Sequence, residues 1–171
     1  MVQQTQWSVR PGTRFEQPTL KRMIYEALYW QPDAEREPFD FVIAHDEISR
    51  YVDGWGRRGD SAMVAVVAPD ERPVGAAWYR LFPEDQPGYG FVEPSIPELA
   101  IAVENDFRGQ GVGRALLESL IRCACQSGMA HLSLSVEVAN VTALTLYQRL
   151  GFVPIGGDEH NHTMLLCLES E

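Results

Sequence analysis

Three alternating glycines in Arg108-Gly109-Gln110-Gly111-Val112-Gly113-Arg114 form a spacing suited to a polyanion. Glycine accepts positive φ and close backbone approach, so successive amides can converge on phosphate oxygens, and a helix starting at the end of the loop adds partial positive charge. A pyrophosphate is the natural guest. Two better-known phosphate loops fit poorly. A P-loop needs Lys followed by Ser or Thr after its last glycine, where this chain has Arg114-Ala115. A dinucleotide fingerprint needs a third glycine where Arg114 stands, which weighs against a nucleotide-binding oxidoreductase.

The elements that would position this loop are legible around it. Leu99 to Val103 reads as a strand entering it. Val112, Leu116, Leu117, Leu120, Ile121 and Ala124 recur at helical spacing after it, with a stop at Ser127-Gly128. Leu132, Leu134, Val136 and Val138 then alternate with His131, Ser133, Ser135 and Glu137 at the period of a strand. Asn140 can cap a helix carrying Ala143, Leu144, Leu146, Tyr147 and Leu150, which Gly151 ends before Phe152-Val153.

The spacing Arg108, Gly111, Gly113 resembles the acyl-coenzyme A loop of the GNAT superfamily of N-acetyltransferases, and Asn140 to Phe152 resembles that family's second hallmark, with Asn, Ala, Tyr and Gly-Phe in order. The two cover Glu98 to Phe152. The resemblance implies transfer of an acetyl group from acetyl-CoA to a primary amine by direct attack in a ternary complex; a noncatalytic acyl-CoA sensor on the same fold is the alternative. It also implies that the backbone of Ile101, Ala102 and Val103 meets the pantetheine arm, with the Val103 N–H polarising the thioester carbonyl. Amides of Arg108, Gly109, Gln110, Gly111, Val112, Gly113 and Arg114 would receive the pyrophosphate. Asn140 would touch the cofactor arm, cap its helix, or do both. Tyr147 would be the general acid that protonates the departing sulfur, or an aromatic packed beneath the loop. Glu98 lies where several such enzymes carry a glutamate base; it reads equally as a solvated strand-end carboxylate, with Glu137, His131 or an already neutral amine as replacements.

Composition is that of one compact unit. The 171 residues are 45% hydrophobic and carry no repeat or low-complexity tract, so a single domain over residues 1–171 is expected. No segment approaches a membrane span or a secretory leader, which makes a soluble cytoplasmic protein the expectation. Cys123, Cys125 and Cys167 suggest no disulfide framework and have no activating base nearby. The net charge of −10 argues against nucleic acid; it reads first as plain solubility, and alternatively as favouring a cationic amine, small-molecule or peptide, as the acceptor. His160 and His162 beside Asp158 and Glu159 invite a metal, but no third ligand is placed and none is assigned. The family resemblance suggests a homodimer.

The N-terminal half is read more coarsely. Trp7 to Arg10 suits a strand, and Pro18 opens a helix with Leu20, Met23, Ile24, Ala27 and Leu28 on one face. A connector follows from Trp30 to Phe41, and a second helix is expected from Asp46 to Val52. Ser61 to Ala68 and Val74 to Phe82 form a hairpin over Pro69 to Pro73. The expected fold is mixed α/β (α+β): a mostly antiparallel sheet with a parallel central pair, Glu98 to Val103 beside His131 to Val138, flanked by helices; the GNAT resemblance implies that this pair is splayed.

Overall fold

The computed structural model describes residues 6–168. Its strands are β1 (Trp7–Pro11), β2 (Ser61–Val67), β3 (Arg72–Arg80), β4 (Glu98–Val103), β5 (His131–Glu137), β6 (Val153–Gly157) and β7 (Asn161–Cys167). Its helices are α1 (Gln17–Leu28), α2 (Phe39–Val42), α3 (Asp46–Ser49), α4 (Val112–Gln126) and α5 (Val141–Arg149). The strands form one sheet in the order β1-β2-β3-β4-β5-β7-β6, antiparallel throughout except for the β4–β5 pair.

Both faces of the sheet are covered, and strand periodicity divides its side chains between them. Ala77 and Tyr79 of β3 face the core that α4 closes with Leu116, Leu117 and Leu120; Ala76 and Trp78 face the core that α1 closes with Leu20, Met23 and Ile24. β3 therefore reads as a nearly continuous apolar run, and it starts at Arg72, two residues earlier than the sequence suggested.

The expected helix from Asp46 to Val52 is only one turn, Asp46–Ser49, followed by a turn through Asp53. Buried tertiary bonds take over from helix geometry there. Arg80, fully buried, pairs with Asp60 at 2.7 Å and donates to Arg50 O at 2.8 Å and Asp53 O at 2.9 Å, while Trp78 Nε1 donates to Tyr51 O at 3.0 Å. Within the expected connector, Phe39–Val42 forms a helical turn of its own.

Candidate active site

β4 and β5 share a single register pair, Glu98 with Ser133, where Ser133 N donates to Pro97 O at 3.0 Å. Beyond it they diverge around a cleft of about 1260 Å³, bounded by β4, by Ser135 to Glu137, by the glycine loop and by α5. On its other edge β4 pairs with β3, and Glu104 N donates to Val74 O at 2.9 Å. Backbone groups in a strand alternate direction, so Ala100 and Ala102 spend their N–H and C=O on β3, whereas Ile101 and Val103, beyond the Glu98–Ser133 bridge, turn theirs toward the cleft. Ala102 thus lines the cleft without offering it a backbone partner.

Gly109 and Gly111 hold φ of 73° and 82° at the foot of the cleft, and Gly111 is the N-cap of α4. The first helical bond of α4 is Ala115 N to Gly111 O at 3.0 Å, so the amides of Val112, Gly113 and Arg114 precede any intrahelical partner. Side chains in the loop are mostly committed elsewhere. Arg108 donates from Nε to Val103 O at 2.9 Å and from a terminal nitrogen to Trp30 O at 2.7 Å, bracing the post-α1 segment against the end of β4. Gln110 donates to Asp106 O at 2.7 Å, and Val112 is buried in the core. Arg114 makes an exposed pair with Glu118 at 2.7 Å, a contact of little energetic weight.

Asn140 is the N-cap of α5: its Oδ1 accepts from Ala143 N at 3.2 Å, and the residue also lines the cleft. Tyr147 lies about one turn beyond Ala143, buried and edge-on to Phe152 with ring centroids 5.9 Å apart. It lines the cleft, and its hydroxyl has no protein hydrogen-bond partner among the described residues. Burial pushes its phenol pKa up, which keeps the proton on at neutral pH.

Glu98 is 3% exposed, which removes the reading of a solvated strand-end carboxylate. Its Oε1 accepts from Tyr51 Oη at 2.5 Å and from Gly90 N at 2.9 Å, while Oε2 is buried without a partner. Burial outweighs the two bonds and pushes the carboxyl pKa up to about 7, where a group can both take and release a proton near neutral pH. Glu137 lines the cleft but is exposed, and His131 lies at the opposite end of β5.

The loop carrying Gly88-Tyr89-Gly90 was not marked as functional by the sequence, although paired glycines around an aromatic residue are a signal of close backbone approach. Tyr89 N donates to Tyr51 Oη at 2.7 Å, and Tyr89 Oη donates to Glu47 at 3.0 Å. Tyr89, Leu28 and Ile48 also border a second recess of about 670 Å³, whose acidic groups are Glu37, Asp46 and Glu47. His160 lies in the β6–β7 turn and His162 in β7, and Asp158 Oδ1 accepts from His160 N at 2.7 Å and Asn161 N at 2.8 Å; no group of three metal-ligating side chains occurs among the described residues. No helix among them is long and apolar enough to cross a membrane.

Residues 22–152 match the acetyltransferase (GNAT) family. A mycothiol acetyltransferase of Jonesia denitrificans is 31% identical over 130 residues, 76% of this chain and 37% of that relative. The ribosomal protein bS18-alanine N-acetyltransferase of Escherichia coli is 50% identical over 52 residues, 30% of this chain and 35% of that protein. The chain thus spans well under half the length of these curated relatives in its matches. Among solved structures, a Salmonella typhimurium protein described with its cofactor acetyl-CoA superposes with a TM-score of 0.67 at 18% identity, covering 98% of this chain and 96% of that one. The split strand pair, the glycine loop and the family match agree: the chain belongs to the acetyltransferase (GNAT) family.

Proposed function

We propose that this chain is an N-acetyltransferase that uses acetyl-CoA to acetylate a primary amine. The observation that carries the reading is the convergence, on one cleft, of the unpaired edge of β4, the Gly109 to Arg114 turn, the buried Glu98 carboxyl and the buried Tyr147 phenol. Acetyl-CoA supplies the activated acetyl thioester. The outward backbone groups of Ile101 and Val103 match the amides of a pantetheine arm, and the first amides of α4 match a pyrophosphate. Val103 O already accepts from Arg108, so its N–H is the group left to polarise the thioester carbonyl.

The acceptor enters from the side of Tyr89 and Tyr51. An amine that arrives as ammonium first gives one proton to water; Glu98 takes the second as the neutral nitrogen bonds to the acetyl carbon, and when the C–S bond breaks Tyr147 gives its proton to the departing sulfur. Carboxylates of Glu37, Asp46 and Glu47 at the recess favour a cationic amine. The supporting experiment incubates the protein with acetyl-CoA and a panel of small amines and peptides, following thiol release and acceptor mass. A gain of one acetyl group on an amine establishes the reaction. Binding of acetyl-CoA with no transfer to any acceptor counts against catalysis, and absence of binding overturns the reading of the loop.

A further inference from the structure

A buried carboxylate normally has partners for both oxygens, and one left bare is a group that the fold has reserved or neglected. At Glu98 the surroundings are built around one oxygen. Oε1 receives the Tyr51 hydroxyl and the Gly90 amide, and the same hydroxyl accepts from Tyr89 N, so three loop and turn groups converge on one point. Tyr51 has little freedom to do otherwise. Its carbonyl is held by Trp78 Nε1, the preceding carbonyl by Arg80, and its ring packs against Phe82 at 5.0 Å and Tyr89 at 6.2 Å.

The loop side is equally constrained. A Cβ on Gly88 would stand 2.1 Å from Glu98 Oε2 and 2.7 Å from Tyr51 Oη, and one on Gly90 would meet the backbone of Leu134 and Ser135 at 2.4–2.7 Å. Both positions admit only glycine if the loop is to lie against the carboxylate. Resting on the reading of Glu98 as the base, we infer that Tyr51, together with the Gly88–Gly90 loop it holds, is the positioning residue that fixes the Glu98 carboxylate by Oε1 and leaves Oε2 to take the proton.

The other groups near the carboxylate do not compete for this role. Arg80, its cross-strand neighbour on β3, is closed onto Asp60; Ser133 on β5 has an unpaired hydroxyl; Tyr89 on the loop directs its phenol to Glu47. The Tyr51 hydroxyl and the Gly90 amide are the donors that favour the ionised form, against burial. Removing the hydroxyl therefore raises the pH at which Glu98 ionises.

The test follows the Glu98 carboxyl carbon by NMR in protein labelled with ¹³C-glutamate, the signal being assigned by its loss in Glu98→Gln. In Tyr51→Phe the titration midpoint is expected to move up by about one pH unit, a tenfold change in proton affinity. With acetyl-CoA and an amine that the panel shows to be acetylated, the acid limb of kcat/KM moves by the same amount, the rate recovers above it, and the acetyl-CoA KM is unchanged. Gly88→Ala, which forces the carboxylate from its seat, lowers kcat about tenfold or more without altering that KM, and it carries the test if Tyr51→Phe fails to fold. An unmoved midpoint, or a loss in Tyr51→Phe that is uniform with pH, overturns the inference. Glu98→Gln separates the two levels: if it abolishes the acid limb while Tyr51→Phe leaves it unchanged, only the role of Tyr51 falls, whereas retention of the limb in Glu98→Gln removes Glu98 as the base and Tyr51 with it.

Discussion

The two sides of the cleft are assembled by different means. On the side of the glycine loop most partners are near neighbours in sequence: Arg108 reaches Val103 five residues away, Gln110 reaches Asp106 four away, and Ala143 reaches Asn140 three away, with the second Arg108 bond, to Trp30 O, the long-range exception. On the side of the carboxylate they are mostly remote, with Tyr51 47 residues from Glu98 and 38 from Tyr89, and Trp78 27 from Tyr51; Gly90, eight residues from Glu98, is the near one. A polyanion can be met by backbone amides whose direction a turn and a helix start dictate locally. A proton acceptor poised near neutral pH needs burial plus a chosen set of donors, and only tertiary packing delivers both. Glu98 at the start of β4 is where the two sides meet.

The strongest way to break this contrast is Glu98→Gln. If the remote side supplies the base, kcat falls about 100-fold or more while the acetyl-CoA KM, set by the local side, stays within twofold, which steady-state kinetics reads directly. Stability should move the other way. Burial raises the carboxyl from its ordinary value of 4.5 to about 7, so the folded state holds the proton more tightly than the unfolded chain. That contribution is complete below the ordinary value and is lost as pH rises toward 7, a loss of about 3 kcal/mol at most. Denaturant titrations at pH 5 and pH 8 should therefore show a smaller decline for Glu98→Gln than for the wild-type protein. Equal declines would mean that the carboxylate is not carrying the cost of burial.

Tyr147→Phe probes the opposite wall with a smaller effect. The ring keeps its packing against Phe152, and the hydroxyl leaves no protein partner orphaned among the described residues, so folding is expected to change little. Loss of the proton donor lowers kcat about 10-fold to 100-fold at neutral pH, with acetyl-CoA affinity unchanged by calorimetry. An unchanged kcat would reduce Tyr147 to a packing residue.

The same contrast explains what the sequence showed and what it hid. Period-two and helical spacing placed β4, α4, β5 and α5 because each is amphipathic or buried by a simple rule, and Asn140 was readable as a cap because capping is decided within three residues. The divergence of β4 from β5 came from family resemblance, since periodicity carries no information on how far two strands run together. Glu98 was visible as a candidate, but its burial was not: Glu is rarely buried, and nothing adjacent in sequence announces Tyr51 or Gly90. The Arg108 side chain also braces Trp30, 78 residues away, a contact that no local pattern encodes.

The smallest effects test whether the loop's glycines are there for the fold or for the ligand. Gly111 sits at φ 82°, a conformation costing a side-chain-bearing residue about 1–2 kcal/mol, although open space surrounds it. Gly111→Ala should lose about that much stability and weaken acetyl-CoA binding several-fold as the turn relaxes. Gly113 has no positive φ, and a Cβ there would make ordinary contacts of 3.7–3.9 Å with Leu146, Val103 and Ile101. Gly113→Ala should instead gain about 0.4–1 kcal/mol by restricting the unfolded chain, as a thermal melt would show. Since a methyl group there displaces nothing, binding should stay within about twofold. A large loss of binding with a gain in stability would mean that the backbone at Gly113 must touch the ligand more closely than a methyl group allows.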